Sequence, residues 1–177
     1  QNLIGRLTGQ PWVADGHQPA EPAWLRLVNG DLYAAVRHDM GNRSPTSIGG
    51  LNAYRSKNGG RTWRGEGALT PPGQHPADLT RLPDGRILLT YGVRNEGDRS
   101  VNVRVGDAEA RIWSYPIRLV DLEGATDEPN MPQPKRDSGY PSTVVLADGT
   151  LVTVYYSRGI PGHQRYHVGV VRWALPR

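Results

Sequence analysis

Ser56-Lys57-Asn58-Gly59-Gly60-Arg61-Thr62-Trp63 is the most informative run of residues in this chain. It reads as a polar hairpin turn that closes on a Thr-Trp pair. Asn58 suits a turn because its short amide bonds local backbone and tolerates left-handed geometry, while Gly59 and Gly60 reach positive φ without a Cβ penalty. Leu51 and Ala53 stand before the turn and Trp63 after it. Such apolar flanks are expected where two antiparallel strands meet.

Working outward, residues 21–37, 76–91 and 140–156 share one plan: an apolar strand, an Asn-Gly or Asp-Gly turn, and a second apolar strand. Each is a hairpin by the strongest short-range signal. The turn glycines Gly30, Gly85 and Gly149 are 55 and 64 residues apart. A period of that size with four strands per repeat predicts propeller blades. In the first repeat, residues 51–55 and 63–69 flank the opening turn as third and fourth strands. Residues 101–105 and 112–120 take those places in the second, joined at 106–111 by a similar turn with one extra residue. In the third, residues 166–173 supply a third strand. The expected fold is therefore all-β: a propeller of four-stranded antiparallel blades, about three of them present. Residues 1–20 are expected to end a preceding blade, and the blades to span 21–70, 75–121 and 137–177. Two Pro-, Gly- and charge-rich stretches, 39–50 and 122–139, read as long loops, a length that is functional or simply solvated.

The bulk composition narrows the function classes. A chain of 177 residues suffices for one domain with a proper core. No run approaches the ~18 apolar residues of a membrane span, so no membrane partner is expected. Gln1-Asn2-Leu3-Ile4 lacks the charged start and long apolar run of a signal peptide. Cysteine is absent, which excludes disulfides and thiolate metal sites and decides no compartment. The net charge is +4 and the pI about 9.6. Yet only Lys57 and Lys135 of the 21 basic residues are lysines; the arginines are scattered singly, so no nucleic acid is expected as partner. Arginine does suit carboxylate recognition, because its guanidinium fork binds two oxygens at once. His163 and His167 follow Pro161-Gly162 and would not share a helical face, so they make a poor metal pair. Gly49-Gly50 precedes a strand rather than a phosphate-binding helix start. No metal or other cofactor is expected.

The opening stretch resembles the Asp box of the sialidase (neuraminidase) superfamily, Ser-x-Asp-x-Gly-x-Thr-Trp, with Asn58 at the Asp position. In that family the box is a structural turn of a six-bladed propeller. The resemblance covers nearly the whole chain but only the second half of the family's domain. It implies either a C-terminal fragment or two copies that pair as a homodimer to complete one ring. It also implies a retaining exo-glycosidase for acidic glycans, with a Tyr nucleophile deprotonated by a Glu, arginines that clamp a carboxylate, and a separate acid/base Asp. A phenol titrates near ~10, so a carboxylate must take its proton before it attacks. Tyrosine-nucleophile sialidases depart in this way from the usual pair of catalytic carboxylates.

On that resemblance Tyr140 is the candidate nucleophile, in Ser138-Gly139-Tyr140-Pro141-Ser142-Thr143, and Glu21, which opens the first repeat, is its partner. Arg37 closes the hairpin that Glu21 opens and resembles the second clamp arginine. The third is Arg94, which sits in its blade where Arg37 sits, or Arg99, which precedes the third strand. Asp137 lies three residues before Tyr140, placed to bond substrate or orient the loop. The family's first arginine and its acid/base Asp belong to the other half, so this chain alone is expected to be inactive. The implied partner is an acidic glycan or sialic-acid-like sugar, and the implied location secreted or periplasmic. The alternatives are a non-catalytic glycan-binding propeller and a related hydrolase or lyase for uronic-acid sugars.

Overall fold

The structure is a computed structural model and describes residues 18–39, 49–95, 97–122, 138–158 and 166–175. These form eleven strands in three antiparallel sheets. The first sheet runs β1 (Gln18–Arg26), β2 (Leu32–Asp39), β3 (Leu51–Ser56), β4 (Arg64–Ala68). The second runs β5 (Gln74–Arg81), β6 (Ile87–Val93), β7 (Ser100–Gly106), β8 (Ile117–Asp121). The third holds β9 (Gly139–Val145), β10 (Leu151–Arg158) and β11 (Tyr166–Trp173). Each strand pairs with the next in sequence, and the first strands touch one another, β1 against β5 and β5 against β9. This is the up-and-down meander of propeller blades, with β1, β5 and β9 innermost.

The three inner hairpins turn through one loop design. Gly30, Gly85 and Gly149 donate to the carbonyls of Leu27, Leu82 and Leu146, three residues back, at 3.0, 3.0 and 2.9 Å. Each glycine has φ between 80° and 91°. The preceding Asn29, Asp84 or Asp148 accepts from the backbone N–H two residues on, at 2.9–3.0 Å. A three-residue loop of this kind needs left-handed geometry at its last position, which is why Gly recurs there.

The blades pack through alternating side chains. Tyr33 and Ala35 of β2 meet Ile87, Leu89, Tyr91 and Val93 of β6 in one core. Leu88 on the opposite face of β6 joins Leu82, Val103 and Leu151 in a second core against the third sheet. With a blade on each face, every residue of β6 is buried, whereas every residue of β4 is exposed. A strand covered on both faces reads as an unbroken apolar run, which Ile87 to Val93 nearly is. The two outer faces of the stack remain apolar: Trp24 is 64 % exposed beside a hollow of about 450 Å³ on the first sheet, and Val168 is 77 % exposed on the last.

The Ser56–Trp63 turn has the expected local bonding. Asn58 Oδ1 accepts from Thr62 N–H at 3.0 Å, its Nδ2 donates to Thr62 Oγ1 at 2.9 Å, and Trp63 Nε1 donates to the Gly60 carbonyl at 3.1 Å. The turn in the second sheet repeats this with one more residue: Asp107 Oδ1 accepts from Arg111 N–H at 2.6 Å, and Trp113 Nε1 donates to the Ala110 carbonyl at 3.2 Å. The fourth strand there begins at Ile117, not at 112 as the sequence suggests. Trp113 forms a lone bridge with Gly106. Ser114 then puts its hydroxyl, instead of backbone, against the Val105 N–H at 3.0 Å, and Pro116 has no N–H to give. The expected strand before residue 18 and most of both long loops lie outside the described residues.

Candidate active site

All three inner strands break register at the rim opposite the hairpin turns. The pairing slips between Ala20 and Ala23, between Gln74 and Ala77, and opposite Tyr155 where β9 carries Tyr140 and Pro141. The residues in the slips are Glu21-Pro22, His75-Pro76 and Tyr140-Pro141. Proline has no N–H for a ladder, so an X-Pro pair fits a bulge, and a bulge re-aims its side chains. Glu21 and Tyr140 both sit at positive φ, 49° and 45°, and the His75–Pro76 peptide is cis. For residues with a Cβ such left-handed geometry costs about 1–3 kcal/mol, a cost that clusters at functional sites.

The bulges bring together residues distant in sequence. Tyr140, on β9, donates its hydroxyl to Oε1 of Glu21, on β1, 119 residues away. Arg37 Nη1, near the end of β2, donates to the other oxygen, Oε2, at 3.1 Å. His75 Nδ1 lies 3.8 Å from that same Oε2. The Arg94 guanidinium stands over the Tyr140 ring, Cζ to centroid 5.4 Å, while its Nε donates to the Ser138 carbonyl at 3.1 Å. Tyr156 stacks on Tyr140 at 5.4 Å, and Tyr166 meets Tyr156 edge-on. Behind Tyr140 the second and third sheets approach at two glycines: a Cβ on Gly92 would sit 3.0 Å from the His75 carbonyl and 3.3 Å from Gly139 Cα. Only glycine leaves that gap open.

Electrostatics follow this geometry. The hydrogen bond to Glu21, then burial and the Glu21 charge, push the Tyr140 hydroxyl above its ordinary value, against the pull of Arg94 and Arg37. Burial works against the Glu21 carboxylate, but the hydrogen bonds from Tyr140 and Arg37 and the charges of Arg37 and His75 outweigh it. Its pKa is held below the ordinary carboxylate value. Glu21 is thus an ionised acceptor aimed at a neutral phenol, the ground state that a carboxylate-assisted tyrosine requires.

Four of the sequence-selected residues, Glu21, Arg37, Arg94 and Tyr140, therefore meet at one rim. Of the two arginines in question, Arg94 contacts Tyr140. The register makes Val93 the counterpart of Arg37, so Arg94 stands one residue further along than the expected equivalence. Arg99 is buried just before β7, where its carbonyl accepts from Leu122 N–H at 2.9 Å. Asp137 and His163 lie outside the described residues. Sequence reading missed His75. Its signal was the X-Pro pair, hidden because the second hairpin carries one more residue between bulge and turn, so alignment on the turn glycines set Pro76 against Glu21. Among the described residues no three His, Cys, Asp or Glu side chains gather as metal ligands, and no helix is long and apolar enough to cross a membrane.

Known structures share this architecture at low identity. A family 117 glycoside hydrolase from Zobellia galactanivorans matches with TM-score 0.61 and 16 % identity, covering 95 % of this chain and 56 % of its own. A thermostable family-43 glycoside hydrolase gives 0.59 and 13 %, with 94 % and 52 % covered. A Hadza microbial sialidase gives 0.57 and 14 %, with 88 % and 35 % covered. The chain thus spans about half, or less, of the length of these proteins. The likeness is one of fold, and the three sheets are blades of a partial propeller. No curated protein matches the sequence. Residues 7–153 match the family described as the BNR repeat-like domain, and to that family the chain belongs.

Proposed function

We propose that the chain carries the nucleophile half of a sialidase-like retaining exo-glycosidase for acidic glycans. One observation carries the reading: the Tyr140 hydroxyl donates to Glu21 across the blade stack, both residues held in left-handed bulges. In the reaction, the Tyr140 proton passes to Glu21 as the phenolic oxygen bonds the anomeric carbon and the glycosidic C–O bond breaks. Water then bonds the anomeric carbon as its bond to Tyr140 breaks; Tyr140 takes its proton back from Glu21, and the water's proton goes to the group that had protonated the leaving oxygen. A neutral tyrosine avoids setting a negative nucleophile against the substrate's own carboxylate. Arg37 and Arg94 supply the positive charge that this carboxylate would meet, and Arg37 also keeps Glu21 ionised. Arg99 and Asp137 are further candidates for substrate contact by resemblance alone. The leaving group's acid and another arginine are assigned to blades outside this half, so the proposed activity belongs to a complete ring, formed with further blades or with a second copy. A protein with this substrate class is proposed to work outside the cell or in the periplasm.

A uronic-acid sugar offers the same carboxylate to the same arginines, and one of the similar structures is an ulvan lyase bound to a glucuronate-containing oligosaccharide. Calorimetry on the complete ring with an unsaturated sialic-acid analogue and with glucuronic acid separates the two. Binding of the analogue, together with a loss of hydrolysis of at least ~10³-fold in Tyr140→Phe, supports the sialidase reading. Binding of glucuronate alone, or unchanged turnover in Tyr140→Phe, overturns it.

A further inference from the structure

We infer that His75 is a positioning residue for Glu21: from the middle blade it holds Oε2 together with Arg37, so that Oε1 is left facing the Tyr140 hydroxyl. The inference rests on the Tyr140–Glu21 reading above and adds a third participant to it.

Three observations support it. His75 occupies, in β5, the bulge position that Glu21 occupies in β1 and Tyr140 in β9. The side chains re-aimed by three equivalent bulges converge at the same rim. It is 1 % exposed, and a buried imidazole at a sheet rim needs polar company to offset its desolvation. Its Nδ1 is 3.8 Å from Glu21 Oε2, on the oxygen that Tyr140 does not use. With Oε2 bonded by Arg37 at 3.1 Å and flanked by the His75 imidazole at 3.8 Å, groups from two different blades fix one carboxylate oxygen and leave the other a single orientation. The strand order explains the arrangement, since β5 lies between β1 and β9 and touches both. Among the described residues, the charged and titratable groups at this end of the elements packed against β5 include Glu21 of β1, Arg37 and His38 of β2, Arg94 just past β6 and Tyr140 of β9.

The test uses the 177-residue chain with tyrosine labelled at the ring carbon that bears the hydroxyl, and the Tyr140 signal identified by Tyr140→Phe. His75→Ala is expected to let Glu21 turn away, so that Tyr140 titrates nearer ~10, in the same direction as in Glu21→Gln. His75→Gln, which keeps a donor, is expected to restore the wild-type midpoint. If Glu21→Gln moves Tyr140 but His75→Ala does not, His75 is only filler and the inference fails while the Tyr140–Glu21 reading stands. If Glu21→Gln itself leaves Tyr140 unmoved, the underlying reading fails. Should His75→Ala not fold, ring-nitrogen spectra of His75 decide. In Glu21→Gln the His75 ring-nitrogen signals are expected to move, having lost a carboxylate neighbour. Unchanged signals overturn the inference.

Discussion

At the hairpin rim the three inner strands turn through the same three-residue loop, each with its glycine and its side-chain cap. At the opposite rim the same strands break their pairing at Glu21-Pro22, His75-Pro76 and Tyr140-Pro141, and three different side chains emerge. The Ser56–Trp63 turn belongs to the first rim, because Ser56 pairs with Leu32 while Leu51, at the other end of β3, pairs with Arg37. Repetition marks the rim that only has to fold. Divergence on a repeated backbone marks the rim to which the proposed chemistry is assigned. One scaffold can hold a glutamate, a histidine and a tyrosine at equivalent points because the bulge, rather than the side chain, sets the direction.

Substitutions at each rim test the contrast. Gly92→Ala is the harshest test, since its Cβ would press on the His75 carbonyl and on Gly139 behind Tyr140. A loss of about 1–3 kcal/mol of stability is expected, with a displaced Tyr140 titration. A denaturant melt and Tyr140 spectra that both match wild type would show that the glycine pair does not position the site. Asn58→Ala removes the bonds to Thr62 at the other rim. About 0.5–2 kcal/mol should be lost, as for other local side-chain caps, with Tyr140 unmoved. A shifted Tyr140 would mean the rims are not independent.

The smallest effect is one of pH. The Glu21 pKa in the folded chain lies below its ordinary 4.5, so the group adds stability above that value and loses it as pH falls through the folded pKa. The melting-temperature gap between wild type and Glu21→Gln should therefore narrow from neutral pH toward pH ~3. Because Glu21 is partly exposed, the gap should be small throughout. A gap that widens on acidification would reverse the assigned sign.

The hairpin rim was legible in the sequence because turns are local. Asn29-Gly30, Asp84-Gly85 and Asp148-Gly149 announce their own geometry, and Asn58-Gly59-Gly60 does the same. The pairing of Glu21 with Tyr140 was legible only through resemblance, since nothing local joins residues 119 apart. His75 escaped because the extra residue in the second hairpin moves its bulge by one. The second hairpin has five paired residues between bulge and turn where the others have four, so only the X-Pro pair on β5, and not the distance to the turn glycine, marks the position. That Arg94 stands over the Tyr140 ring could not be read from the sequence, which offers Arg94 and Arg99 alike. The late start of β8 depends on Ser114 replacing a backbone partner with its hydroxyl, a substitution that hydrophobic patterning does not register.

The most direct measurement of the central claim is the titration of Tyr140 in the intact chain and in Glu21→Gln. A phenol that donates to an ionised carboxylate should titrate above its ordinary value of 10.0 in the wild type and fall toward it once the Glu21 charge is removed. A midpoint near 10.0 that is the same in both proteins would contradict the proton-sharing pair, and with it the proposed chemistry of this rim.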